Sequence, residues 1–208
     1  MRHFSRFAVG SILLLPVCLS ARVKATEDLF PGQLGSTWTY SGMFSGQKMT
    51  MGSTIVSATG GLQRTLVMRW TANGRPSQEE TYIVRPGEVV RSKSGAAGTG
   101  AITPPLPIIK YPMTVGKTWQ WRGTVASGGN QLNGTANLKV AAHEKVQTGT
   151  GAVMAYRVDL DLTIAAGGQS LKLANSYWFA PGLGMVRQRA QLPNGSAVDA
   201  SLATIKLK

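Results

Sequence analysis

From Thr26 onward, apolar residues alternate with polar ones instead of recurring every three or four positions, and Gly, Thr and Ser are frequent. A period of two marks half-buried strands, whereas an amphipathic helix needs a period near 3.6. No helix is predicted after residue 25. The first strand falls within Leu29-Phe-Pro-Gly-Gln-Leu-Gly-Ser-Thr-Trp-Thr-Tyr-Ser-Gly42, where Trp38, Tyr40 and Gly42 share a face because successive side chains point to opposite sides. Further strands are predicted over 48–58, 63–71, 78–84 and 89–93, then 118–125, 134–146, 152–164, 170–179, 184–192 and 197–207. Asn73-Gly74, Pro86-Gly87, Gly167-Gly168, Pro181-Gly182 and Asn194-Gly195 supply the turns between them. Residues 94–109 join Gly-Ala-Ala-Gly-Thr-Gly to Thr-Pro-Pro-Leu-Pro and read as a connector.

The two strand sets resemble each other. Phe30, Pro31, Gly35, Thr37, Trp38, Tyr40 and Gly42 match Tyr111, Pro112, Gly116, Thr118, Trp119, Trp121 and Gly123 at one constant spacing along the chain. Later motifs keep the same order: Asn73-Gly74 with Gly167-Gly168, Tyr82 with Tyr177, Pro86-Gly87 with Pro181-Gly182, Arg91 with Arg187. The pattern predicts a single all-β domain over 26–208, an internally duplicated antiparallel meander with repeats at about 29–93 and 110–192 and a last strand over 197–207. One such sheet would expose its apolar face, so the two halves are expected to form one barrel of eight to ten strands, closed or partly open. A sandwich is the alternative.

Residues 1–25 change the picture of where the chain works. Arg2, His3 and Arg6 precede an apolar run from Phe7 to Leu19, and Val23-Lys24-Ala25 has the small-x-small form of a cleavage site. The segment is read as a signal peptide cut near Ala25, which implies a periplasmic or secreted protein. Cys18 has Leu15 at the lipobox position, but Pro16 and Val17 depart from the pattern, and the lipoprotein reading is not adopted. The mature chain then contains no cysteine and no transmembrane helix, which needs about 20 apolar residues. The leader holds four of the 22 basic residues and none of the nine acidic ones, leaving 18 basic against nine acidic residues and a net charge of +9. Such a charge attracts anionic partners.

Gly-x-x-Trp near the start of a unit, followed by Tyr177-Trp-Phe-Ala-Pro-Gly-Leu-Gly-Met-Val-Arg187 near its end, resembles a broad group of exported bacterial β-proteins that includes the TapB-like proteins. The resemblance spans roughly Tyr111 to Gln191 and, more weakly, Phe30 to Arg91. The first copy departs from it, with Arg85 in place of the alanine and Glu88-Val89 in place of Leu-Gly-Met. It implies export and β architecture, and no particular activity.

Catalytic constellations are scarce. His143 is the one histidine after the leader, alternation places it on an outer strand face, and neither a Gly-x-Ser-x-Gly elbow nor a phosphate-binding loop is present. Asp159 and Asp161 share a strand face, but it is the polar face beside Arg157; Glu79-Glu80 face two ways and read as surface. Asn133-Gly-Thr135 and Asn194-Gly-Ser196 match glycosylation sequons and are read as turns. No catalytic residue, cofactor or metal is therefore expected. The recurring aromatics Trp38, Tyr40, Trp119, Trp121, Tyr177 and Phe179 are candidates to line an interior site, with Arg187 and Arg189, on one strand face, as a basic rim; Arg85, Arg91 and Lys93 hold the matching place in the first half. The expected function is a non-enzymatic, carrier-like binding protein for an amphiphilic or anionic envelope component, with lipid and glycan as candidate partners and nucleic acid excluded. The alternative is a structural or assembly protein of the envelope with no small ligand. Oligomeric state is left open.

Overall fold

The computed structural model describes residues 28–166, 168–191 and 195–208. The leader with Cys18 and Ala25, Gly167 of the Gly-Gly turn, and Asn194 of the second sequon lie outside the described residues. Twelve strands follow one another: β1 (Thr37–Phe44), β2 (Gln47–Gly60), β3 (Arg64–Ala72), β4 (Arg75–Arg85), β5 (Glu88–Gly95), β6 (Gly100–Lys110), β7 (Thr118–Ser127), β8 (Asn130–Thr148), β9 (Gly151–Ala166), β10 (Gln169–Ala180), β11 (Gly184–Gln191) and β12 (Ala197–Lys206). Each pairs antiparallel with its neighbours in sequence, and β1 closes on β12. The expected all-β barrel is therefore formed. It is closed, which removes exposed edges, and it has twelve strands where eight to ten were expected.

One strand absent from the predicted set, β6, lies in the Pro-rich stretch. Residues 94–109 were read as a connector because proline lacks the N–H that a sheet ladder needs. Only a short 3-10 turn, Ala96–Gly98, and Thr99 after it are non-strand there, and Gly100–Lys110 runs as β6. The ladder from β6 to β7 is correspondingly short, with Ile102 opposite Val125 and Thr103 opposite Thr124. Beyond it, side chains take over. The Trp121 indole N–H donates to the Pro104 carbonyl at 2.8 Å, and that of Trp119 to the Pro107 carbonyl at 2.9 Å. Two indoles thus bridge a seam where prolines provide no donors.

The two segments matched in sequence have the same local geometry. Gly35 N–H donates to Ile55 O, and Ile55 N–H to Ser36 O; Gly116 N–H donates to Val140 O, and Val140 N–H to Lys117 O. Both glycines have positive φ, +84° and +92°, a conformation that costs glycine little. A bulge follows each partner, between Ile55 and Ser57 and between Val140 and Ala142. By strand order, β1 and β7 head two runs of six strands that meet at the β6–β7 and β12–β1 seams.

One barrel end is closed by the segment before β1. Leu29 and Phe30 are buried, Phe30 packs on Tyr82 with ring centroids 4.7 Å apart, and Arg64 donates to the carbonyls of Gly32 and Phe30. Gly182 N–H, in the β10–β11 turn, donates to Asp28 O. The β8–β9 hairpin overhangs the same end and reaches β12, where Gly149 N–H donates to Leu202 O at 2.7 Å. The interior between β7, β8 and β9 is filled by Trp119, Trp121, Leu138, Val140 and Leu160.

Candidate functional site

Interior packing is incomplete on the other side of the barrel. A cavity of about 100 Å³ is bounded by Trp38 and Tyr40 of β1, Met68 and Trp70 of β3, Tyr177 and Phe179 of β10, and Phe30 and Pro31 of the closing segment. Alternation along β4 points Gln78, Glu80 and Tyr82 into the same space. Gln78 is exposed whereas Glu80 and Tyr82 are buried, so this inward row runs from solvent into the barrel.

At the back of the cavity lies an ion pair. Glu80, 4% exposed, accepts at Oε2 from the Trp70 indole N–H at 2.9 Å and the Tyr82 hydroxyl at 2.6 Å. Its Oε1 accepts from Arg91 Nη1 at 2.8 Å and from Ser94 Oγ at 3.5 Å. Arg91 also interacts with the Tyr177 hydroxyl. Burial works against the charged guanidinium, but Glu80 and the two tyrosines outweigh it and hold the Arg91 pKa above its ordinary value. Burial, reinforced by the charge of Glu80, pushes the Tyr82 hydroxyl up, and burial raises those of Tyr40 and Tyr177 as well. All three phenols are neutral groups at physiological pH.

Two features bring Arg91 inside. Across β4–β5, Tyr82 faces Arg91 and Thr81 faces Lys93, so Ser92 is the extra residue of a bulge. A bulge re-aims the side chains that flank it. Here it lets Arg91 and Ser94 both reach Glu80 while Lys93 stays exposed. Glu80 was read as surface; its burial corrects that, and the strand row it shares with Tyr82 was the signal that could have found it.

Of the residues singled out in sequence, Trp38, Tyr40, Tyr177 and Phe179 meet at this cavity. Trp119 and Trp121 do not line it; they pack in the filled half and hold the β6 carbonyls. Even at the cavity, Trp38 spends its N–H on Leu183 O at 2.7 Å and Tyr40 its hydroxyl on Met185 O at 3.1 Å. These two serve the fold with their polar tips and the cavity with their ring faces.

Arg187 and Arg189 do not rim the cavity. Gln188 lines it, and the arginines on either side point outward to Asp199, with Nη2–Oδ2 distances of 2.8 and 2.7 Å. The Arg187 guanidinium also lies 5.0 Å from the Trp178 ring centroid, and Trp178 donates its N–H to Glu144. Arg91 and Arg187 match in sequence yet occupy opposite faces. In β11 the bulge falls at Val186, before the arginine; in β5 it falls at Ser92, after it. His143 is exposed and stacks on Tyr156 at 4.2 Å, and Asp159 accepts from Ser176 and pairs with Arg157.

The outer-face cluster makes a pH prediction. Hydrogen bonds from Arg187 and then Arg189 outweigh partial burial and hold the Asp199 pKa below its ordinary value. A carboxylate with a depressed folded-state pKa stabilises the fold above the unfolded pKa of about 3.9, and that contribution is lost as pH falls through the lower folded value. Asp199→Asn is expected to cost about 1 kcal/mol at pH 7, the group being largely solvated. The gap between wild type and variant in thermal unfolding should close below about pH 4. A gap that persisted unchanged at acid pH would contradict this account.

The structure is similar to two solved ones. A protein from Bacteroides fragilis described as exported, with a YmcC-like fold, superposes with a TM-score of 0.61 at 17% identity, over 85% of this chain and 98% of that one. A protein from Parabacteroides distasonis described as a lipoprotein gives a TM-score of 0.62 at 13% identity, over 86% of this chain and 99% of that one. These likenesses are of fold. No family model and no curated protein matches the chain. Among the described residues, no helix is long and apolar enough to cross a membrane.

Proposed function

We propose that the protein is a non-enzymatic exported binding protein of the cell envelope, and that the cavity between β1, β3, β4 and β10 receives part of an amphiphilic or anionic envelope component. One observation carries the reading: an apolar, aromatic-walled space with a few convergent polar groups at its back, in a barrel otherwise well filled. Its size limits what enters. An apolar cavity of about 150 Å³ takes up benzene, so about 100 Å³ suits one end of an amphiphile and not a whole acyl chain. The envelope address is supported by the basic-apolar leader and by the neighbours described as exported and as a lipoprotein. The positive charge favours anionic surroundings.

A second reading, an assembly role without a small ligand, is favoured by a different observation. Leu34, Leu62 and Val115 are 59%, 93% and 53% exposed, and all three belong to connections at the closed barrel end. Native mass spectrometry of the protein expressed with its leader and recovered from the periplasm separates the two. A co-purified small molecule, displaced when Trp70 or Phe179 is changed to Ala, is the expected result. Bare monomer would end the binding reading, and bare oligomer would favour assembly.

A further inference from the structure

Resting on that binding reading, we infer that the cavity selects an uncharged oxygen acceptor, an ester or amide carbonyl on a short apolar body, over an oxyanion. Arg91 lines the cavity with its side chain 13% exposed. Its Nη1 is committed to Glu80, and its Nε–H is buried without a protein partner. A buried donor left without an acceptor is costly, and native structures rarely keep one without a reason. Nε is itself covered, so a ligand oxygen in the cavity would satisfy it only with a small turn of the guanidinium toward that oxygen.

Charge decides which kind of oxygen. Arg91 and Glu80 already neutralise one another, and the other polar groups on the wall, Gln78, Gln188 and the tyrosine hydroxyls, carry no charge. A carboxylate or phosphate entering here would leave a net negative charge among Phe30, Trp38, Met68 and Phe179, where an uncompensated charge is strongly disfavoured. A carbonyl oxygen accepts the same hydrogen bond and leaves the site neutral. The protein's positive charge therefore acts on the anionic surroundings of the ligand, and the cavity acts on its uncharged end.

The test is a matched pair of probes, methyl hexanoate and hexanoate, titrated into the purified protein at pH 7.5 and followed by ligand-observed NMR. The ester is expected to bind roughly tenfold more tightly than the carboxylate. Changing Arg91 alone would strand Glu80, so the informative variant is the charge-neutral Glu80→Met/Arg91→Met pair, checked for folding by circular dichroism. In it, ester affinity should fall about fivefold or more. Hexanoate binding as tightly as the ester, ester binding unchanged in the double variant, or no binding of either probe would each overturn the inference. Failure of the probes alongside a co-purified ligand would remove this selectivity alone, whereas a bare protein would remove the binding reading beneath it.

Discussion

Glu80→Gln is expected to lower the unfolding free energy by about 3 kcal/mol, although it removes a single charge and keeps the shape of the side chain. Four groups converge on the Glu80 carboxylate, and the indole, the guanidinium and the two hydroxyls all act as donors toward it. A carboxylate is acceptor-only and can satisfy such a set; an amide replaces one acceptor with an NH₂ donor. If the NH₂ faces Arg91, two donors oppose one another. If it faces Trp70, the indole N–H loses its partner, because Trp can only donate. Either way, the guanidinium is left buried without its counter-ion.

A built-in comparison lies one residue away. Glu79 pairs with Arg69 on the outer face, with side-chain exposures of 22% and 52%. An exposed pair of this kind contributes less than about 1 kcal/mol. In urea or thermal unfolding, Glu80→Gln should therefore lose roughly 6–12 °C in Tm, while Glu79→Gln stays near wild type. The Glu80→Met/Arg91→Met pair should recover only part of the loss: it removes the stranded guanidinium, but the buried Trp70 indole N–H and Tyr82 hydroxyl lose their acceptor. Equal behaviour of the two single variants would show that the inner pair is not buried as described.

The contrast between Glu79 and Glu80 shows how far the sequence can be read. Period-two alternation was enough to find the barrel, because it depends on local polarity and survives any register. It also required one member of an adjacent Glu-Glu pair to face inward. What alternation cannot register is a bulge. Ser92 and Val186 each insert one residue into a strand, and each reverses the facing of everything beyond it. A bulge on opposite sides of two matching arginines sends Arg91 to the cavity and Arg187 to Asp199. The strand β6 was missed for a related reason. Prolines forbid ladder hydrogen bonds, but nothing local in the chain announces that Trp119 and Trp121 will take up the carbonyls those prolines leave free. The aromatics were legible as a recurring set; which of them border empty space depends on packing across the barrel.

Gly42 and Gly123 were also legible only as matching letters, and the structure gives them a physical role from which the second large effect follows. Gly123→Ala is expected to destabilise by about 3 kcal/mol, at the upper end of overpacking costs. A Cβ at Gly123 would overlap the Thr103 carbonyl oxygen and lie 2.5 Å from Trp121 Cζ2 and 2.9 Å from Pro104 Cδ. Neither backbone nor proline ring can yield, so the indole must move, and with it the 2.8 Å hydrogen bond that bridges the β6–β7 seam. At Gly42 the same addition would overlap the Asp199 carbonyl oxygen and lie 2.6 Å from Ala200 Cα, across the β12–β1 seam. Each glycine thus sits where the first strand of one six-strand run meets the last strand of the other, and each permits close approach of two backbones. Gly61→Ala is the control, since nothing lies within 4 Å of its added Cβ; it should change stability by less than about 0.5 kcal/mol. Native-state hydrogen exchange localises the effect: Gly123→Ala should speed exchange at the Ile102 and Val125 amides while leaving the β1–β2 ladder protected. A variant that lost stability without loosening that seam would mean that the glycine acts elsewhere, for instance by restricting the unfolded chain. With so few ladder bonds between β6 and β7, the barrel stays closed there only as long as Gly123 lets Trp121 reach the Pro104 carbonyl.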